Sequence, residues 1–157
     1  MQRNGGPRSA GPVAQEVRFW MSMPVVSINL HAPLAEALAL MHKHKIRRLP
    51  VVDPSGELVG IITDGDIRGV AIMRGHAPPA LSLAEALNNT HVYQVMTERP
   101  ITVTLSSTLR EAALLMLDNK VGSLPVMGTA NNLLGLITAS DLFEALVCYL
   151  DNSARTS

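Results

Sequence analysis

Aromatic side chains are scarce in this chain: they make up 3% of its 157 residues, with a single tryptophan, Trp20. The core must therefore be aliphatic, and 47% hydrophobic positions suffice for one compact soluble domain. The one cysteine, Cys148, excludes an intrachain disulfide and a cysteine-rich metal site. It is expected to be a buried structural thiol, which fits a reducing cytoplasm. Net charge is missing as well: 13 basic and 13 acidic residues cancel, so no whole-molecule field draws the chain to nucleic acid or to an anionic membrane. Any anion site has to be local. No run approaches the roughly 18–20 apolar residues of a membrane span. The phosphate loop Gly-x-x-x-x-Gly-Lys and the nucleophile elbow Gly-x-Ser-x-Gly are both absent, which speaks against an enzyme built on either. Residues 1–15, with Gly5, Gly6, Pro7, Gly11 and Pro12, lack the apolar block of a secretory signal and are expected to be a disordered tail.

What the chain does have is itself, twice. Met21–Ile72 laid on Met96–Val147 without a gap gives identity at roughly a third of the positions. Leu49-Pro50-Val51 falls on Leu124-Pro125-Val126, and Gly60-Ile61-Ile62-Thr63 with Asp66 falls on Gly135-Leu136-Ile137-Thr138 with Asp141. In the first copy Val25–Leu30 is β-branched and apolar, as a short strand requires. Leu34, Ala37, Leu38 and Met41 then recur at helical spacing, with Pro33 at the first turn. The second copy repeats that stripe as Leu109, Ala112, Ala113 and Met116, opened by a capping box, Thr108-x-x-Glu111. Leu49–Asp53 and Leu58–Thr63 flank the turn Pro54-Ser55-Gly56 and form a strand pair. A last helix begins near Asp66 and carries Ile67, Val70 and Ala71; its counterpart carries Leu142, Ala145, Leu146 and Tyr149.

The order strand, helix, strand, strand, helix predicts an α+β fold of two βαββα half-domains. Each is too small to close a core alone, so they are expected to pack sheet to sheet with pseudo-two-fold symmetry. The boundaries follow: a tail over 1–15, repeat one over 16–74, a connector over 75–90 with a short helix opened by Ser82-x-x-Glu85, repeat two over 91–150, and a tail over 151–157. Trp20 is expected to cover a core edge.

These residues resemble a family, the tandem CBS (cystathionine β-synthase type) domain pair. Met96-Thr97 before a strand, Leu-Pro-Val before the middle strand and Gly-h-h-Thr-x-x-Asp (h apolar) before the last helix carry the resemblance, over about residues 16–150. The stretches His44–Pro50 and Thr63–Arg68 are especially similar to CBS pairs appended to bacterial sugar-phosphate isomerases, but the isomerase domain is absent here. The resemblance implies an adenosine-containing ligand (AMP, ADP, ATP or S-adenosylmethionine) in clefts between the repeats, with no cofactor required. In the family one cleft combines the early strand and pre-strand segment of one repeat with Thr-x-x-Asp of the other. That carries Pro24, Asn29, Ile46, Arg47 and Arg48 onto a main cleft with Leu136, Thr138 and Asp141. A second cleft takes Arg99, Thr104, Val121 and Gly122 with Ile61, Thr63 and Asp66.

The residue types fit such a ligand. A carboxylate accepts both hydroxyls of a ribose diol, which suits Asp66 and Asp141. Thr63 and Thr138 stand at strand-to-helix junctions, where a hydroxyl and free N–H groups can meet a phosphate or ribose oxygen. The same Thr-x-x-Asp is equally a helix cap, a role that duplication copies along with any other. The copies differ at Arg47-Arg48, which face Gly122-Ser123 under the alignment. Arginine offers a fork of donors to phosphate, so the Arg47-bearing cleft is expected to be the main nucleotide site; the plainer reading is an arginine pair solvating a helix end. His42-x-His44 with His31 lacks the spacing of a metal site and reads as solvent-facing.

Two readings stand. One is a regulatory module, not an enzyme, that senses an adenosine nucleotide on behalf of an enzyme or transporter. The other is a ligand-free structural or dimerisation module that docks a partner protein. The apolar Leu146, Val147 and Leu150 point to a homodimer built from helix packing.

Overall fold

The computed structural model describes residues 14–74 and 83–155. It forms two compact units whose limits differ from those of the sequence repeat: a middle unit, Val26–Pro100, and an end unit made of the chain up to Val25 together with Ile101 onward. The fold is mixed α/β, and each unit holds the strand, helix, strand, strand, helix order that the sequence predicts.

In the middle unit β1 (Ile28–Asn29), α1 (Leu34–His44), β2 (Arg48–Val52), β3 (Leu58–Thr63) and α2 (Asp64–Arg74) are followed by α3 (Leu83–Asn89) and β4 (Thr97–Glu98). The end unit contains β5 (Val103–Thr104), α4 (Leu109–Asn119), β6 (Ser123–Met127), β7 (Leu133–Thr138) and α5 (Ala139–Arg155). The middle sheet has the order β1-β2-β3-β4 and the end sheet β5-β6-β7. Both keep the same register: a short parallel strand beside the end of the central strand, then an antiparallel pair that sets Arg48 opposite Thr63 and Ser123 opposite Thr138. The expected first strand, Val25–Leu30, is cut to Ile28–Asn29, because only Val51 and Val52 pair with it.

The helix stripes fold as their spacing dictates. Leu34, Ala37 and Met41 are buried on α1 and Ala112 and Met116 on α4, against cores built from Leu49, Val51 and Ile62 in one unit and Leu124, Val126 and Ile137 in the other. The Thr108 box closes as expected: Glu111 N–H donates to Thr108 Oγ1 at 3.1 Å, and Thr108 N–H to the Glu111 carboxylate at 2.7 Å. Pro33 stands one position earlier than expected, at the N-cap of α1. Both helices end on a lysine in the left-handed region, Lys45 and Lys120, each at φ 54°. On α5 the inward side is Ala145, flanked by Leu142 and Cys148; Leu146 and Tyr149, read from the sequence as part of that stripe, lie open.

The unit boundaries arise because the opening segment of each repeat pairs with the sheet of the other. Thr97 and Glu98 extend the middle sheet beside Ile61 and Gly60, and Ser22 exchanges backbone hydrogen bonds with Leu136 of the end sheet at 2.9 and 3.2 Å. Met96 and Met21 then lie over two glycines. A Cβ on Gly60 would stand 2.5 Å from Met96 Sδ and 3.0 Å from Thr97 O; one on Gly135 would stand 2.9 Å from both Met21 Sδ and Ser22 O. Only a glycine lets these backbones come so close. Trp20 is more than an edge cover: it is buried in the end-unit core, and its indole N–H donates to Ala14 O at 2.8 Å.

Of the tail expected over 1–15, residues 1–13 lie outside the described part. Gln15 is held in place, its carbonyl accepting from Leu109 N–H at 2.7 Å. Ser82, the expected cap of the connector helix, also lies outside; the helix itself is α3. Of the tail expected over 151–157, residues 151–155 are the last part of α5, and 156–157 lie outside the described residues. Among the described residues no helix is long and apolar enough to cross a membrane.

Gly60→Ala and Gly135→Ala are each expected to cost about 1–3 kcal/mol in urea unfolding, the range for overpacking. Adding Met96→Ala should return part of the Gly60→Ala loss, since it removes the nearer clash. Unchanged unfolding midpoints would contradict the close approach.

Candidate functional site

The candidate residues gather where β3 hands over to α2 and β7 to α5. A helix begins at each junction with backbone N–H groups that lack intrahelical partners. Thr63 is the last residue of β3 and Asp66 the third of α2. Thr63 N–H and Thr63 Oγ1–H both donate to Asp66 Oδ2 at 2.7 Å, and Asp66 N–H returns a bond to Thr63 Oγ1 at 3.3 Å. In the end unit Thr138 N–H and Oγ1–H donate to Asp141 Oδ2 at 2.7 and 2.8 Å. The capping role read from Thr-x-x-Asp is thus present in both halves. It commits the threonine hydroxyl proton and one carboxylate oxygen, so a ribose would have to be met by Oδ1. The two carboxylates differ in exposure: Asp141 is 5% exposed, whereas Asp66 is half-buried.

The pre-strand segments are tied to the same junctions. Asp64 N–H donates to Arg47 O at 2.8 Å, and Ala139 N–H to Gly122 O at 3.1 Å. This shared tether delivers unlike chemistry. In the middle unit Arg47 reaches Asp64 Oδ2 with Nε at 3.9 Å, and Arg68, one helical turn after Asp64, meets the same oxygen at 3.0 Å. Arg48 lies directly across the sheet from Thr63. Burial pushes its guanidinium below the usual value, and the neighbouring Arg47 charge adds to that. Three arginines, Arg47, Arg48 and Arg68, and two carboxylates, Asp64 and Asp66, therefore stand at this corner, an excess of one positive charge. At the matching place the end unit offers Gly122 and Ser123, with Ser123 opposite Thr138.

The remaining sequence candidates fall elsewhere within each unit. Asn29 pairs with Val52, at the end of β2 away from Arg48 and so roughly 13 Å along the strand. Its Oδ1 accepts from His31 N–H at 2.9 Å. Thr104 is likewise beside Met127, with its N–H on Ser107 Oγ at 3.1 Å. Ile46 and Val121 sit in the α1 and α4 end turns, bonding back to Met41 O and Met116 O at 3.0 Å each. Ile61 pairs with Thr97 on β4, and Leu136 is buried beside Ser22. Pro24 and Arg99 hold equivalent places after the exchanged segments, both exposed, Arg99 with φ 48°. Asp64 and Arg68 belong to the charged cluster and are not among the sequence candidates; their i,i+4 spacing is the signal that would have found them. Among the described residues no group of three or more histidine, cysteine or acidic side chains converges to hold a metal.

A model of the CBS domain matches residues 14–72 and 92–148. The chain is 37% identical over 135 residues to a CBS domain-containing protein of Dictyostelium discoideum, covering 86% of this chain and 93% of that one. Its fold is similar to that of CBSX2 in complex with AMP (TM-score 0.72, 25% identity, 85% of this chain and 97% of the other). It is similar too to the CBS domain pair of protein MJ0100 in complex with 5′-methylthioadenosine and S-adenosyl-L-methionine (TM-score 0.71, 25% identity, 83% and 98%). Two copies of the repeat, each with its own sheet and its own Thr-x-x-Asp junction, make this chain a member of the CBS domain family.

Proposed function

We propose that the chain is a regulatory module that binds an adenosine-containing nucleotide, without catalysing a reaction, and that its middle unit reads the phosphate. One observation carries this reading: at positions the repeat makes equivalent, the middle unit places Arg47 and Arg48 where the end unit has Gly122 and Ser123. Arginine forks match phosphate oxygens, and Arg48 stands beside a threonine hydroxyl at a helix start, where anions are favoured. Asp66 and Asp141 are the ribose acceptors, and the half-buried Ile61 offers apolar surface to a base, whereas Leu136 is buried beside Ser22. The likeness to CBS pairs that hold AMP or S-adenosylmethionine supports the ligand class. The arginines favour AMP, ADP or ATP over S-adenosylmethionine, whose sulfonium is cationic. Regulation requires that the nucleotide bind two states of the assembly unequally. We further infer that the module works in the cytoplasm as a homodimer, on an enzyme or transporter.

The second reading, a ligand-free docking or dimerisation module, is favoured by the Thr–Asp bonds, which close on themselves as caps. Stability and affinity measured on the same variants separate the two. Thr63→Val and Asp66→Ala should each cost about 1 kcal/mol through loss of the cap under either reading. Only the nucleotide reading also predicts weaker AMP binding.

In calorimetric titrations the parent chain should bind AMP more tightly than adenosine. Arg48→Ala and Arg47→Ala should each weaken AMP by about 10-fold or more, as expected for loss of a charged hydrogen bond worth about 1.5–3 kcal/mol, while adenosine binding changes little. A parent chain that binds no adenosine compound contradicts the proposal. So would equal losses for AMP and adenosine, because the arginines would then not be reading phosphate.

A further inference from the structure

The last turn of α1 and the approach to β2 form a basic patch that the other half lacks. Residues 42–48 read His-Lys-His-Lys-Ile-Arg-Arg, and the equivalent residues 117–123 read Leu-Asp-Asn-Lys-Val-Gly-Ser. Two lysines, two arginines and no acid thus stand where the second copy has one lysine and one aspartate. Cations at a helix C-terminus are ordinarily explained by the unpaired carbonyls there. The second copy removes that explanation. α4 has the same 11 residues as α1, ends on the same left-handed lysine and closes with the same two backbone bonds: Lys120 N–H donates to Leu117 O and Met116 O, as Lys45 N–H does to His42 O and Met41 O. Yet the last turn of α4 holds no basic residue. The fold can therefore end this helix without them. Arg47 belongs to the charged corner, where Asp64 and Asp66 offset part of the arginine charge. Nothing offsets Lys43 and Lys45: both are exposed, and neither makes an ion pair among the described residues.

We propose that this patch docks an acidic, extended peptide segment of the protein that the module regulates, with Lys43 and Lys45 as the cations dedicated to it. The inference rests on the regulatory role proposed above, for which it names the docking surface and the chemistry of the partner, and it does not need the nucleotide. Charge complementarity is the argument. The chain as a whole is neutral, so it attracts an anion only within about a Debye length of such a patch, roughly 10 Å. Other polyanions fit less well. Single-stranded nucleic acid is held by aromatic rings that stack the bases as well as by cations. Tyr93 is the one Phe, Tyr or Trp of residues 26–100. It packs against His31 and His91 near the start of α1, about 16 Å of helix away from the patch. An anionic membrane is gripped by a helix with large apolar side chains beside its cations, and α1 exposes no large apolar side chain. Carboxylates on a flexible chain need neither.

Fluorescence anisotropy on the full chain, with a labelled peptide of about ten glutamates at low salt, tests the assignment. The parent should bind the peptide. Lys43→Ala and Lys45→Asn should each weaken it by about 3- to 5-fold, the size of one exposed charge pair, and together by about 10-fold or more. Asparagine tolerates the left-handed backbone at 45, so the unfolding midpoint should hold. Lys120→Asn, at the equivalent place on α4, should leave peptide binding unchanged. No binding by the parent, equal affinity of parent and double variant, or the same loss from Lys120→Asn would overturn the proposal. So would an oligouridylate of equal charge, or vesicles containing phosphatidylserine, that bind the parent more tightly than the peptide and lose affinity in the same lysine variants. AMP titration of the same samples keeps the two ideas apart. AMP affinity that is unchanged in the lysine variants supports a separate docking patch, and AMP affinity that falls with them assigns the lysines to the nucleotide site and refutes it. A parent that binds the peptide but no adenosine compound sinks the nucleotide reading alone.

Discussion

Each half of this protein turns on the closure between a threonine at the end of a strand and an aspartate three residues into the following helix. The helix start must find acceptors for its unpaired N–H groups, and the strand must stop at a fixed point; the Thr63–Asp66 and Thr138–Asp141 bonds meet both needs. The backbone tether from the helix start to the residue before the central strand, Arg47 or Gly122, then fixes a third segment at the same corner. Whatever residue the chain places before the central strand is delivered to the cap. That is why a two-residue difference in sequence becomes a difference in local chemistry.

The duplicated halves have accordingly taken on different characters on one scaffold. In the middle unit the corner sets Arg47 and Arg68 on Asp64, with Arg48 opposite Thr63, and the exposed positions of α2 include the charged Arg68. In the end unit Gly122 and Ser123 stand where the arginine pair is, the aspartate of the corner is buried, and α5 exposes Phe143, Leu146, Val147 and Leu150. A protein of zero net charge thus concentrates positive charge at one place and apolar surface at another.

Much of this was legible in the sequence, wherever the interaction was local or copied. The Thr108–Glu111 box and the Leu34, Ala37, Met41 stripe follow from spacings of three and four residues, and the Thr-x-x-Asp junctions were visible as caps or ligands alike. Register was not. That Arg48 faces Thr63, and that Asn29 lies at the far end of β2 from the arginines, depends on strand pairing between residues distant in sequence. The seating of Met96 on Gly60 and Met21 on Gly135 was hidden for a different reason: the repeat alignment assigns each methionine to one copy, while its sheet contacts are with the other. Both methionines and both glycines are identical between the copies, and that was the available clue. On α5 the spacing alone could not tell which apolar face turns inward, because Ala145, a small residue, takes the core side and leaves Leu146 outside.

The central claim is that the middle-unit corner reads a phosphate. Two-dimensional amide NMR of the isotope-labelled chain, with AMP and adenosine added in turn, tests it most directly. Arg48, Thr63 and Asp64 amides should move with AMP well beyond their movement with adenosine, and Ser123, Thr138 and Ala139 amides should show no such difference. Identical shifts for the two ligands at the arginine corner, or none at all, would contradict the account.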